Sequence, residues 1–200
     1  MIAIFDYGAG NLRSVENTLD AIEVPYEIVN DSEGLRRADK IILPGVGHFG
    51  QLIRSLDSLG VRDAFKERIA AGVPFLGICL GLHALFERSE EAPDLHGLGI
   101  YPGEVKRFPK DARVPHMGWN ELEPTNHPRL LANLAERPYV YFAHSYYVPA
   151  DVGGDRAAAL CEYGVRYTAA LESSNVFGVQ FHPEKSGSVG QQIVRNFLAC

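Results

Sequence analysis

Two hundred residues with 46% hydrophobic content suffice for one well-buried globular domain over residues 1–200, with no repeat, charge run or low-complexity stretch to mark a second. A formal charge of -6 with scattered Lys and Arg lacks the basic stripe of a phosphate-binding face, which argues against a nucleic-acid partner and leaves a protein or a small molecule. Three cysteines, Cys79, Cys161 and Cys200, are an odd number without metal-ligand spacing, so neither a disulfide framework nor a metal site is expected, and a reducing compartment fits.

The chain opens on Ile2-Ala3-Ile4-Phe5-Asp6, without the basic start, apolar core and cleavage site of a signal peptide, and no stretch is long and apolar enough to span a bilayer. A cytoplasmic protein without a membrane partner is the expectation. Ile2 to Phe5 reads as a buried strand; Asn11 to Glu23 carries Leu12, Val15, Leu19 and Ile22 at helical spacing; Val24 to Val29 and Lys40 to Leu43 read as strands. Helical stretches around Gln51 to Leu59 and Arg62 to Ala71 follow. This alternation predicts an α/β fold: a mostly parallel central sheet with helices on both faces and functional residues at the carboxyl ends of strands, where Asp6, Pro44 and Cys79 sit.

Val73 to Phe86 runs as an apolar strand into a helix, with Cys79 at the junction and Gly77 and Gly81 two residues to either side. Such a reversal forces strained backbone angles on the central residue and needs small neighbours, the pattern of a nucleophile elbow. The Cys79 side chain is then expected to stand exposed at a helix N-terminus, where free amides favour a thiolate.

Past Gly103 the predicted strands are shorter: Tyr139 to Ser145, Ala157 to Tyr163, Arg166 to Glu172 and Val176 to Phe181, with turns at Gly153-Gly154 and Ser173-Ser174-Asn175. They are expected to extend the sheet with antiparallel pairs at one side. The strand through Phe181 leads into His182-Pro183-Glu184, where alternation in extended backbone would bring Glu184 beside the His182 imidazole. A carboxylate that orients a histidine able to serve a thiolate completes a Cys79-His182-Glu184 triad. A helix from about Val189 to Leu198 closes the chain.

The elbow and the His-Pro-Glu segment resemble those of the class I, triad-type glutamine amidotransferases, a flavodoxin-like fold, and the resemblance covers the whole chain. Five segments together resemble the glutaminase subunits of imidazole glycerol phosphate synthase: Asp6-Tyr7-Gly8-Ala9-Gly10-Asn11, Leu43-Pro44-Gly45-Val46-Gly47, Pro115-His116-Met117-Gly118-Trp119-Asn120, His144-Ser145-Tyr146-Tyr147 and Gln180 to Gly187. The resemblance implies hydrolysis of glutamine through a glutamyl thioester, without cofactor or metal. It implies an oxyanion hole from Gly45, Val46, Gly47 and the amide of Leu80, and glutamine binding by His144, Ser145 and Tyr146. It adds His83, where most relatives carry glutamine. Glutaminases serving chorismate-using enzymes or pyridoxal phosphate synthesis tend to have adjacent glycines in the loop that here holds Val46, a β-branched residue that resists positive φ, so the hole is expected to be unformed at rest.

The chain stops sixteen residues after Glu184, which suggests that a separate partner receives the ammonia. The resemblance implies a (β/α)8-barrel cyclase, with Trp119, Met117, Asn120, Asn11 and Lys185 at the interface. His48, His96 and His127 read as plain loop positions. A peptidase stays formally open, since a triad alone does not choose between amides; Gly45-Val46-Gly47 and Met117-Gly118-Trp119-Asn120 argue against a glutaminase for anthranilate synthesis, and His182-Pro183-Glu184 against a stress-related protein on a similar elbow.

Overall fold

The computed structural model describes residues 1–8 and 11–200, so Ala9 and Gly10 of the first motif lie outside the described residues. The first half alternates as the hydrophobic pattern predicts, with a short helix α2 that the pattern does not predict: β1 (Ile2–Phe5), α1 (Leu12–Ala21), β2 (Tyr26–Val29), α2 (Ser32–Arg37), β3 (Lys40–Leu43), α3 (Phe49–Ser58), α4 (Arg62–Ala70) and β4 (Phe75–Ile78). One turn of helix, α5 (Leu80–His83), leads to β5 (Phe86–Ser89), β6 (Tyr101–Arg107), β7 (His116–Glu121), β8 (Glu123–Pro124), β9 (Tyr139–His144) and β10 (Tyr146–Pro149). The chain ends with α6 (Ala150–Gly153), β11 (Ala157–Glu162), β12 (Arg166–Ser173), β13 (Val176–Val179) and α7 (Gly187–Ala199).

The main sheet runs in the order β2-β1-β3-β4-β13-β12-β10-β6-β5, with β11 on the other edge of β12 and β8 beside it. From β2 to β13 every pairing is parallel; β12 pairs antiparallel with β13, β10 and β11. Strand alternation sorts side chains onto two faces: Phe5, Leu43 and Phe75 join the core under α2, α3 and α4, while Ile4, Ile42 and Leu76 join the core under α1 and α7. Parallel strands buried on both faces need such continuous apolar runs, and helices do cover both sides. Phe65 of α4 packs edge-on between Phe5 and Phe75, with centroids 4.9 and 6.1 Å apart, and truncating so buried a ring costs about 3–5 kcal/mol.

Three expectations about the second half are corrected. The strand at Tyr139–His144 does not extend the main sheet: it pairs antiparallel with β7 in a separate two-stranded sheet, His116 opposite His144 and Trp119 opposite Tyr141. The Gly153-Gly154 pair, expected as a plain turn between strands, is the junction between α6 and a 3₁₀ turn at Gly154–Arg156. The strand before the His-Pro-Glu segment stops at Val179, and Pro183–Lys185 form a 3₁₀ turn, so strand alternation is not what brings Glu184 to His182.

Candidate active site

Cys79 follows the last residue of β4 and has φ 52° and ψ -101°, a region that a residue with a side chain occupies only when its surroundings impose it. Those surroundings are packed to backbone contact. A Cβ on Gly77 would lie 2.4 Å from the Gly81 carbonyl oxygen, and one on Gly81 would lie 2.1 Å from the Leu43 carbonyl oxygen. Both glycines of the elbow are therefore required by close approach.

The same packing corrects the expected exposure: Cys79 is only 7% accessible and borders a cavity of about 340 Å³. The helix that follows is a single turn, so no long macrodipole stands behind the sulfur.

Histidine and nucleophile meet because their strands are neighbours. β13 pairs with β4 in parallel, Val179 opposite Ile78, and the Cys79 amide donates to the Val179 carbonyl at 2.7 Å, so both strands discharge into the same cavity. The His182 Nδ1 lies 2.7 Å from Glu184 Oε1, and both side chains are almost fully buried. Burial acts to lower the His182 pKa, but its interactions with Cys79 and Glu184 outweigh it and raise it to about 10. The turn is pinned from behind: Ser186 Oγ donates to the His182 carbonyl, the Tyr141 amide donates to Ser186 Oγ, and the His182 amide donates to the Tyr141 carbonyl.

Two of the prospective oxyanion donors, the amides of Val46 and Leu80, are engaged elsewhere. The Leu80 amide points at the Gly45 carbonyl at 3.4 Å, and the Val46 amide points at the Tyr7 hydroxyl, also at 3.4 Å. Gly47 takes φ +99°.

His144 does not offer its ring to the cavity freely: Nδ1 meets the Tyr146 carbonyl at 2.7 Å, while Nε2 meets Tyr167 OH and His116 Nδ1 at 3.3 and 3.2 Å. Ser145 and Tyr146 border the cavity beside it. His83 also borders it but turns Nε2 onto Gln180 Oε1 at 2.7 Å, and burial lowers its pKa to about 4. Met117 and Lys185 line the cavity, and Met117 and Trp119 are 63% and 56% exposed. Asn120 bonds the Glu162 carbonyl, and Asn11 stands before α1 with its Oδ1 accepting from Ser14.

Sequence reasoning missed three residues. Gln180, fully buried, has its Nε2 3.6 Å from Cys79 Sγ; a lone amide two positions before the histidine in an apolar strand was the available signal. Glu91 borders the cavity and accepts from the Phe49 amide, and nothing local in the sequence marked it. His48, read as a plain loop residue, caps α3 by accepting from the Gly50 amide at 3.0 Å. A larger cleft of about 460 Å³ by Tyr7 and Arg54 has neither cysteine nor histidine among the described residues that line it. Among the described residues no group of three or more His, Cys, Asp or Glu is gathered as a metal site, and no helix is long and apolar enough to cross a membrane.

With a buried thiol, a histidine held by a carboxylate and a side-chain-sized cavity, the arrangement is equipped for acyl transfer from an amide. Residues 3–200 match the model of the glutamine amidotransferase class-I family. The chain is 48% identical over 198 residues to the imidazole glycerol phosphate synthase subunit HisH of Methanothermobacter thermautotrophicus, covering 99% of this chain and 98% of that protein. It is 45% identical to HisH of Bacillus cereus, covering 98% and 93%. Among solved structures, a glutamine amidotransferase superposes with a TM-score of 0.77 at 19% identity over 99% of this chain and 97% of that one. The PurLQS structure from Thermotoga maritima superposes with a TM-score of 0.74, also at 19% identity and with the same coverage; both likenesses bear on the fold. The chain belongs to the class-I glutamine amidotransferases and, among them, to the HisH subunits of imidazole glycerol phosphate synthase.

Proposed function

We propose that this single-domain chain hydrolyses glutamine and passes the ammonia to a (β/α)8-barrel cyclase, acting as the glutaminase subunit of imidazole glycerol phosphate synthase in histidine biosynthesis. The observation that carries the reading is Cys79 at a positive-φ elbow, facing His182, whose Nδ1 lies 2.7 Å from Glu184 Oε1, in a chain of this family.

The Cys79 thiolate attacks the side-chain carbonyl of glutamine, and a C–S bond forms as the oxygen takes up charge. His182 gives its proton to the departing nitrogen, ammonia leaves and a glutamyl thioester remains. Water then loses a proton to His182 as it attacks the thioester; the C–S bond breaks and glutamate is released. Glu184 orients the ring and stabilises the imidazolium without taking the proton.

The oxyanion is stabilised by the Leu80 amide and the Gly45-Val46-Gly47 loop once that loop gives up its resting bonds. Glutamine lies along Ser145 and Tyr146, with His144 holding the Tyr146 carbonyl and His83 bordering the same cavity. Ammonia in neutral water is mostly protonated and not nucleophilic, so a dry passage to the partner is favoured. Exposed Met117 and Trp119, with Asn120, Lys185 and Asn11, form the docking face. Glutamine hydrolysis measured with and without the barrel partner tests the reading: turnover should rise with the partner, and cleavage of peptide amides instead of glutamine would overturn it.

A further inference from the structure

Gln180 has no part in the proton transfers just described, yet it is fully buried and touches the nucleophile. Its backbone continues the sheet past the end of β13, the amide donating to the Ala169 carbonyl at 2.9 Å, which sets the side chain on the cavity side. Its Nε2 lies 3.6 Å from Cys79 Sγ, within the range of a hydrogen bond to sulfur, and its Oε1 lies 2.7 Å from His83 Nε2.

The two ends of a carboxamide are chemically opposite, so the direction matters. With the NH₂ on the sulfur, a thiolate gains a charge-assisted donor; with the carbonyl there, it meets a repulsive dipole. His83 decides between them. Its ring is neutral, held so by burial, and has one proton to give; placed on Nε2 it demands the Gln180 oxygen and turns the NH₂ to Cys79. Nδ1 is then a bare acceptor, in keeping with its lack of any hydrogen-bond partner.

We infer that the Gln180 carboxamide is a positioning group for the nucleophile, donating to the Cys79 sulfur in an orientation that His83 sets. The inference rests on the proposed role of Cys79 and extends it: the thiolate is held from two sides, by the His182 imidazolium and by a neutral donor that does not exchange protons. The other titratable groups around the sulfur are Tyr7 from the loop after β1, Tyr167 from β12 and Glu184 behind His182, with Glu91, His144 and Lys185 bordering the same cavity. None of them supplies a second fixed donor, which leaves that part to Gln180.

The test is the pH profile of Cys79 alkylation by iodoacetamide, read on the Cys79 peptide by mass spectrometry without glutamine, with Cys79→Ser as the blank. Gln180→Leu should move the midpoint up by about one pH unit, the size of a lost charge-assisted hydrogen bond, and Gln180→Glu, of equal volume, should move it further by adding like charge. His83→Leu should move it as Gln180→Leu does, whereas His83→Gln, which keeps an N–H for the Gln180 oxygen, should restore the wild-type midpoint. Unchanged midpoints in both folded Gln180 variants, or equal effects of Leu and Gln at position 83, would overturn the inference. Because no glutamine is present, an inactive glutaminase would contradict the proposed function while leaving this result readable.

Discussion

Tyr7 is bound twice to one residue of the oxyanion loop: its hydroxyl donates to the Val46 carbonyl at 3.3 Å and accepts from the Val46 amide at 3.4 Å. Burial, the largest influence, lifts the Tyr7 pKa to about 12, so the hydroxyl keeps its proton and both bonds at working pH. The resting loop is thus held by a side chain from the neighbouring strand end, in addition to the stiffness of a β-branched residue.

Rotation of that peptide must break these bonds. Tyr7→Phe should raise the basal glutaminase rate of the complex without cyclase ligand several-fold, by about the worth of one neutral hydrogen bond. Val46→Gly should raise it further, toward the 10²- to 10³-fold that one oxyanion donor is worth. Steady-state rates equal to wild type in both variants would show that the loop does not limit hydrolysis.

Loss of the two partners of Cys79 should not be equivalent. His182→Ala removes the group that carries the proton in both half-reactions and should abolish turnover, whereas Glu184→Gln keeps a group at 2.7 Å from the ring and should leave measurable activity. A silent Glu184→Gln would remove Glu184 from the triad.

The proposed docking face is mechanically close to the proposed chemistry. Trp119 lies opposite Tyr141 in the β7-β9 pair, with rings 6.1 Å apart at 77°, and Tyr141 bonds the His182 backbone. With Trp119 more than half exposed, Trp119→Ala should leave the stability within about 1 kcal/mol of wild type but weaken the complex and uncouple hydrolysis from synthesis. A large fall in Tm with coupling intact would place Trp119 in the fold instead.

Stability should respond to pH through the buried histidines. Burial lowers the His83 and His116 pKa to about 4, and His144 well below its ordinary value. The unfolded chain, with histidines near pH 6.5, binds protons that the folded chain refuses, so stability is full above about pH 6.5 and is lost as pH falls toward 4. His182 runs the other way: raised to about 10, its contribution is present below about pH 6.5 and is lost as pH climbs through 10. Thermal melts from pH 4 to 10 should fall on both sides, and His116→Phe, keeping the stack against Tyr163, should flatten the acid side. An acid limb unchanged in that variant would contradict the assignment.

How far the sequence was legible follows from residue chemistry. β1 and β3 fall on the predicted residues because short apolar runs, Ile2 to Phe5 before Asp6 and Ile41 to Leu43 after Lys40, admit little else, and the elbow was readable from its two glycines. β5, β6 and β7 were not: Phe86–Ser89 carries two charges, β6 holds Pro102 and Gly103, and β7 holds Gly118, all of which argue locally against a strand. Tertiary pairing overrode those preferences. The Glu184 contact was anticipated, but it is made through a 3₁₀ turn, whose backbone only the packing of Ser186 and Tyr141 reveals. Residues brought from afar, Glu91 and Tyr7 among them, leave no local spacing to read.

The account stands most directly on Cys79→Ala in complex with the cyclase partner, assayed with glutamine and then with an ammonium salt. Since the sulfur serves only to make ammonia, glutamine-dependent synthesis should vanish while ammonium-dependent synthesis stays close to wild type. Loss of both activities in a folded complex, or survival of the glutamine-dependent one, would contradict it.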